Sequence, residues 1–269
     1  MVNDLLKLRV LTALAGIPLL VAIINLGGYY LLLSVLAVVL LALDELFHAF
    51  ENFTSRGVIK TVGYFSGILF ILGAFYYDGV LIAETLFVVA ALNLLYYVFA
   101  FPKVEFWEIG LTILSAIYVG YFLSFILLLR NLPQGEFFLL LAFILTWSTD
   151  IGAYSFGMLF GRTKLSQNLS PKKTVEGAFG GLVFPLAAVY SAFLLVPVEV
   201  SLIKVLGLGL AAGIIGQVGD LVASAIKRQA GIKDFGNILP GHGGFLDRFD
   251  SFILVAPLVY YYLRMFIID

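Results

Sequence analysis

The sequence predicts an all-α polytopic integral membrane protein with about nine transmembrane helices. Of its 269 residues, 62% are hydrophobic and only 12% are charged. Soluble domains carry about 45–50% apolar and about 25% charged residues, so this chain has too few polar side chains to cover a soluble surface. Its apolar segments are also long and uniform, whereas the strands of a membrane barrel are about 9–11 residues long and alternate in polarity.

Nine segments come close to the roughly 20 residues that a helix needs to cross a bilayer. In chain order they are 8–26, 29–47, 59–77, 80–101, 109–129, 137–160, 175–196, 202–226 and 249–268. The first has Lys7 and Arg9 at its start, as the apolar stretch of a signal peptide would, but no A-x-A-like cleavage site comes after it. We therefore expect it to be retained. The eighth is interrupted by Gln217 and Asp220.

The basic residues predict how the chain crosses the membrane, because cytoplasmic loops carry an excess of Lys and Arg. Of the 16 Lys and Arg, only Arg130, Lys204 and Arg264 fall on the side opposite the amino terminus. The rest, on the amino-terminal side, are Lys7, Arg9, Arg56, Lys60, Lys103, Arg162, Lys164, Lys172, Lys173, Lys227, Arg228, Lys233 and Arg248. This asymmetry predicts a multi-pass protein of the cell (inner or plasma) membrane, with its amino terminus cytoplasmic and its carboxyl terminus outside.

Polar motifs are concentrated in the second half of the chain. We interpret residues 1–135 as an amino-terminal scaffold of about five transmembrane helices, and residues 136–269 as a catalytic region of about four. The polar site is expected on the cytoplasmic side of the second region. The chain contains no cysteine, which excludes disulfides, thiolate catalysis and cysteine-ligated metals from this chemistry.

Three acids of the scaffold, Asp44, Glu45 and Glu84, fall at or near membrane depth. An acid there costs roughly 2.5–3.5 kcal/mol on insertion scales and is a functional candidate by default. We interpret these three instead as acids near helix ends that are hydrated or paired, because no other polar motif surrounds them. His48 stands at helical spacing from Glu45 and is expected to be its local partner or an interfacial residue.

A lysine-rich loop, Ser170-Pro171-Lys172-Lys173-Thr174, follows the sixth segment, on which Asp150 lies one turn before Tyr154. Pro171 suits the entrance to a helix, and two lysines beside backbone amides suit an anion. The alternative is that the lysines only orient the chain and the glycines that follow only allow close helix packing. The combination with Ser-Pro, Thr and Glu-Gly favours phosphate binding.

The eighth segment carries Gln217, Asp220, Ser224 and Lys227 at steps of three and four residues, which place all four on one helix face. A polar stripe within lipid must face the interior of the helix bundle or water. The alternative is an Asp–Lys pair that only neutralises itself between helices.

Asp247 and Asp250 lie one turn apart at the start of the ninth segment and are expected to share a face. Together with Asp220 they would form a cluster of three carboxylates, which repel one another unless a cation or proton lies between them. Mg²⁺ suits such a site, because it prefers a few carboxylates together with substrate phosphates and water. Acids for a metal and lysines for phosphate predict a phosphoryl-transfer site at the headgroup depth of the bilayer.

These residues resemble a known family. The stretch SAIKRQAGIKDFGNILPGHGGFLDRFDS, residues 224–251, closely resembles the signature of phosphatidate cytidylyltransferases, also called CDP-diacylglycerol synthases. Asp150, Tyr154 and the loop 170–177 also resemble that family. The resemblance is specific over about residues 147–251, whereas the first five segments match only in their hydrophobic character.

The resemblance implies that CTP and phosphatidic acid react to give CDP-diacylglycerol and pyrophosphate for phospholipid synthesis, on a polytopic helical fold that is often dimeric. It implies Mg²⁺ as cofactor and leaves a second cation open. The expected partners are CTP, phosphatidic acid and the lipid bilayer, with a homodimer left open and no nucleic acid.

The resemblance also implies roles for individual residues. Asp220, Asp247 and Asp250 would hold the metal and, with Lys227, form the catalytic set. The substrate-binding candidates are Asp150, Lys172, Lys173, Thr174, Ser224, Arg228, His242, Gly243 and Arg248. His242 is expected either to contact phosphate or only to cap a turn.

Two alternatives from other classes stay open. An ion-coupled transporter would also bury Asp150 and Asp220 along an ion path, but it needs no lysine-rich loops directed at a carboxylate cluster. A CDP-alcohol phosphotransferase also uses clustered aspartates. The pattern of that family continues D-x-x-D-G-x-x-A-R, whereas Asp250 is followed here by Ser-Phe-Ile.

Overall fold

The computed structural model describes residues 15–51, 57–195, 200–238 and 243–268, and these residues are mostly helical. The helices are α1 (Ala15–Leu26), α2 (Gly28–Glu51), α3 (Lys60–Tyr77), α4 (Ile82–Ala100), α5 (Phe106–Ser115), a π-helical turn (Ala116–Tyr121), α6 (Phe122–Asn131), α7 (Gly135–Phe160), α8 (Val175–Phe193), α9 (Leu202–Gln229), α10 (Leu246–Phe249) and α11 (Phe252–Phe266). Two short strands, β1 (Lys164–Ser166) and β2 (Ser170–Thr174), join α7 to α8.

The predicted fold class is confirmed: the protein is an all-α, multi-pass membrane protein. Within the described ranges, seven helical segments are long and apolar enough to cross a membrane, counting 106–131 and 246–266 as one segment each. The other two predicted segments correspond to α3, an 18-residue helix, and to the shorter apolar helix α1. The part of the first predicted segment before Ala15 lies outside the described residues.

The ninth predicted segment differs from the expectation of one continuous helix. It starts with the single turn α10, passes through a turn at Asp250 and Ser251, and resumes as α11. Asp247 thus belongs to α10 and Asp250 to the turn that follows it, and the prediction that the two share a face stays a prediction.

The described helices fall into two compact units, of which the first comprises Met1–Leu132 and Gln229–Phe249. Phe70 and Val89, together with Ala116 of the π-helical turn, form a buried apolar cluster in it. Glycines bring α3 and the π-helical turn close together, because a Cβ on Gly120 would lie only 2.9 Å from Cα of Gly67. The one-turn helix α10 packs against α2 in the same unit.

The second unit comprises Pro133–Arg228 and Asp250–Asp269. Its helices α7 and α8 pack along each other, and a Cβ on Gly152 would overlap the carbonyl oxygen of Gly180. The ring of Phe143 on α7 stacks on that of Phe252 on α11, with their centroids 4.0 Å apart. Small residues thus let the helix backbones approach closely, as is common where helices pack within lipid.

Candidate active site

The lysine-rich loop forms an antiparallel β-hairpin, in which Lys164 pairs with Thr174 and Ser166 with Ser170. The prediction that Pro171 stands at the entrance of a helix is wrong, because Pro171 lies within β2 and α8 begins at Val175. Successive side chains of a strand point to opposite sides. Lys172 is accordingly exposed while Lys173 is partly buried.

Thr174 ends the hairpin and caps α8. Its Oγ1 accepts a hydrogen bond of 3.1 Å from the backbone N–H of Gly177, an N-cap interaction that satisfies one free donor of the first helical turn. The carboxylate of Glu176 accepts hydrogen bonds from the backbone N–H groups of Arg162 and Thr163 at 3.1–3.2 Å. Both ends of the hairpin are thereby tied to the first turn of α8.

Lys173 forms an ion pair with Asp220 of α9, with 2.5 Å between Nζ and Oδ2. The side chains are 27% and 30% exposed, so the pair remains accessible to solvent or ligand. The hydroxyl of Ser224, one turn further along α9, lies 3.4 Å from Oδ1 of Asp220. The structure thus brings one predicted phosphate-binding lysine directly to a predicted metal-binding carboxylate.

Asp250 is the second carboxylate of this cluster. Asp220, Lys227 and Asp150 all lie near enough to act on it electrostatically. Its Oδ1 also accepts a hydrogen bond of 2.7 Å from the backbone N–H of Ser251. The charge cluster, defined as Asp150, Lys173, Asp220, Lys227 and Asp250, therefore contains three carboxylates and two ammonium groups within one compact unit.

A glycine on α9 makes this arrangement sterically feasible. A Cβ on Gly219 would lie 2.7 Å from the carbonyl oxygen of Asp250 and 3.0 Å from Cα of Ser251. Real Cβ atoms almost never approach other atoms within 3.0 Å. The absence of a side chain at this position lets the turn approach the helix beside Asp220.

Two other predicted residues of α9 make contacts of their own. Arg228 donates a hydrogen bond of 3.3 Å from Nε to the carbonyl oxygen of Leu169 in the hairpin turn. Gln217 donates to the carbonyl oxygen of Ala178 at 3.2 Å and thereby links α9 to α8. The polar stripe of α9 thus serves helix packing at Gln217 and charge chemistry nearer its carboxyl end.

Asp247 belongs to the other compact unit and is 7% exposed. Its Oδ2 accepts hydrogen bonds from the backbone N–H groups of Phe235 and Gly244, at 2.8 and 3.1 Å. Gly243, which has φ +83°, lies so close that a Cβ there would be 3.1 Å from the same oxygen. Asp247 therefore fixes the backbone at Gly243 and Gly244, and its role as a metal ligand stays a prediction.

Arg248 is exposed on α10. His242 lies outside the described residues.

Glu45 is the residue that the sequence interpretation missed. Its carboxylate on α2 accepts hydrogen bonds from the backbone N–H groups of Phe245 and Leu246, at 3.0 and 2.8 Å. His48 contacts Asp44 instead: Nδ1 of His48 lies 2.8 Å from the carbonyl oxygen of Asp44 and 3.4 Å from Oδ2 of Asp44. The expectation that His48 is the partner of Glu45 is therefore wrong, and the alternative that it is an interfacial residue stays a prediction. The cost of an acid at membrane depth was a valid signal, but its partners lie 200 positions along the chain.

Fold and site together define a multi-pass membrane enzyme whose helices gather carboxylates and lysines. Residues 7–266 match the family model described as the cytidylyltransferase family. The chain belongs to this family.

Similar proteins include three bacterial phosphatidate cytidylyltransferases. The chain is 36% identical over 260 residues to that of Staphylococcus saprophyticus and 37% identical over 259 residues to that of Staphylococcus aureus; each match covers 94% of this chain and 97% of the relative. It is 42% identical over 190 residues to the enzyme of Bacillus subtilis, and this match covers 70% of this chain and 71% of that protein.

Proposed function

We propose that this protein transfers the cytidylyl group of CTP to phosphatidic acid, giving CDP-diacylglycerol and pyrophosphate. The observation that carries the proposal is the charge cluster, with its Lys173–Asp220 ion pair, in a chain that matches relatives named phosphatidate cytidylyltransferase over 94% of its length. Lysines and carboxylates side by side suit the binding of a polyanionic nucleotide together with a cation.

In this reaction a phosphate oxygen of phosphatidic acid forms a new bond to the α-phosphorus of CTP, and the bond from that phosphorus to the bridging oxygen breaks. Pyrophosphate leaves with the bonding electron pair. The attacking oxygen is already anionic, so no strong general base is needed. The barrier comes from bringing two anions together and from the charge that develops on the leaving group, and positioned cations lower it.

In our proposal the lysines of the charge cluster are the cations that lower this barrier. Lys173 and Lys227 would neutralise the phosphates, while Lys172 and Arg228 extend the positive surface where the chain is exposed. Asp150, Thr174 and Ser224, together with His242, Gly243 and Arg248 of the motif, remain proposed substrate contacts. Oγ1 of Thr174 also caps α8.

The donor set fits Mg²⁺. Within the described ranges, no three acidic or histidine side chains gather into a complete metal site. Asp220 and Asp250, however, offer the one or two carboxylates that Mg²⁺ takes from a protein when substrate phosphates supply the rest. These two would hold the ion, which would neutralise the triphosphate and the charge on departing pyrophosphate. The ammonium group of Lys173 would then exchange its ion pair with Asp220 for an ion pair with a phosphate. The role of Asp247 as a further ligand stays a prediction from the sequence.

We further propose that the protein lies in the cell membrane, with its amino terminus and the loops that contain Lys172 and Lys233 in the cytoplasm. The support is the distribution of the 16 Lys and Arg residues described above. The site would then open toward the compartment that contains CTP. A homodimer is proposed from the family resemblance alone.

The test uses purified protein in detergent with CTP labelled in the cytosine, phosphatidic acid and Mg²⁺. We expect label in the organic-soluble lipid fraction and equimolar pyrophosphate, both abolished by excess EDTA. Diacylglycerol in place of phosphatidic acid should give no product, since it lacks the anionic nucleophile. Equal turnover with diacylglycerol would contradict the proposed nucleophile, and full turnover in EDTA would contradict the proposed metal.

A further inference from the structure

Glu45 on the scaffold helix α2 accepts two hydrogen bonds from the loop 243–247. It is 4% exposed, and each carboxylate oxygen accepts a different backbone N–H group: Oε1 that of Phe245 at 3.0 Å, and Oε2 that of Leu246 at 2.8 Å. Hydrogen bonds to an ionised acceptor are roughly twice as strong as those between neutral groups. The contact therefore fixes both the position and the orientation of this backbone.

The loop is held from both sides by carboxylates. Asp247 takes the N–H group of Gly244, and Glu45 takes those of the next two residues. Two glycines make room for Glu45, because a Cβ on Gly236 or on Gly244 would overlap its carboxylate. The backbone of the loop is thus shaped around the Glu45 side chain.

This arrangement carries an energetic cost. Glu45 lies in the carboxyl-terminal part of α2, next to Asp44, and its side chain is buried there, which is unfavourable for an acid. It also lies near enough to Asp247 for the two carboxylates to affect each other electrostatically. Four backbone N–H groups offset the burial of the two acids. The donors that Glu45 binds belong to the backbone of Phe245 and Leu246 and not to α2, so the contact acts on the loop.

We infer that Glu45 is a positioning residue of this enzyme, which holds the loop 243–247 so that Asp247 is presented in one orientation. Its effect on catalysis rests on the proposed function. Its effect on the loop does not.

The decisive variant is Glu45→Gln, which nearly preserves volume. A glutamine side chain has one oxygen and one NH₂ group, so in either orientation it sets a donor against one of the two backbone donors. One hydrogen bond is lost and two N–H groups face each other. The matched control is Glu84→Gln, the same change at an exposed position of α4.

Hydrogen–deuterium exchange of the purified protein without substrates measures how well the backbone amides of the loop are protected. In Glu45→Gln we expect the amides of Phe245 and Leu246 to exchange at least roughly tenfold faster, the scale of one hydrogen bond to a charged group. Glu84→Gln should leave the peptide 243–249 unchanged. Unchanged exchange in Glu45→Gln would overturn the inference, whether or not the protein turns over CTP.

Steady-state kinetics test the consequence for the reaction. We expect kcat of Glu45→Gln per folded molecule to fall by about tenfold or more, with KM for CTP within about twofold, because the lysines of the charge cluster are untouched. Faster exchange with an unchanged kcat would overturn the positioning role. Failure of the wild-type protein to convert CTP would reject the proposed function instead, and the exchange result would still decide the contact.

A second variant covers the case in which Glu45→Gln does not fold. Gly236→Ala keeps every hydrogen-bonding group and pushes the Glu45 carboxylate from its place. It should show the same faster exchange at Phe245 and Leu246. Its control is Gly110→Ala, where a Cβ meets no atom within 4 Å.

Discussion

Two substitutions of Asp247 are expected to separate its bracing of the loop from its charge. Oδ2 alone accepts both hydrogen bonds, from Phe235 and Gly244. Asparagine can place its single amide oxygen at the same point and keep both bonds while losing the charge. Alanine loses the bonds and the charge together.

The magnitudes follow from these contacts. In Asp247→Ala two buried N–H groups lose their acceptor, and each unsatisfied donor costs about 1–3 kcal/mol, so the free energy of unfolding should fall by about 2–6 kcal/mol. In Asp247→Asn the weaker neutral bonds are offset by relief of the repulsion with Glu45, and the change should stay below about 1 kcal/mol. Turnover of Asp247→Asn should nevertheless fall by about a hundredfold or more, the scale of removing one key electrostatic stabiliser.

The assay pairs thermal unfolding in detergent with turnover of labelled CTP per folded molecule, after size-exclusion chromatography. Asp247→Asn should unfold near the wild-type temperature and be almost inactive, whereas Asp247→Ala should unfold several degrees lower. A well-folded Asp247→Asn protein with the wild-type rate would refute the role of the charge. An Asp247→Asn protein as unstable as Asp247→Ala would refute the shared-oxygen account of the loop.

Three further outcomes are expected. Gly219→Ala should lower turnover and melting temperature, because the new Cβ must displace the backbone at Asp250. The control Gly110→Ala, where the Cβ meets open space, should change neither, and equal behaviour of the two variants would contradict the close approach at Gly219. Lys173→Met should raise KM for CTP but reduce stability by less than about 1 kcal/mol, since the ion pair is partly exposed; an unchanged KM would argue against phosphate binding. A single cysteine introduced beside Lys233 should resist impermeant maleimide in intact cells, and its labelling would reverse the proposed topology.

The sequence by itself determined the class of protein and where its chemistry is concentrated. Long apolar runs predict membrane helices because each helix satisfies its own backbone hydrogen bonds within lipid, and this requirement is local. The spacing of Asp220, Ser224 and Lys227 along one helix is equally local, and the structure places all three in α9.

Only the tertiary structure decided which polar groups meet. In the structure Lys173 pairs with Asp220, which lies 47 positions away along the chain. A β-hairpin stands at Pro171, where the sequence predicts the entrance of a helix, and the ninth segment is interrupted at Asp250. The tertiary structure also turned Glu45 from an isolated acid of the scaffold into the support of a loop 200 residues away. No periodicity along the chain encodes such contacts. They depend on close approaches that glycines such as Gly219 and Gly244 allow, and those approaches exist only once the helices have packed.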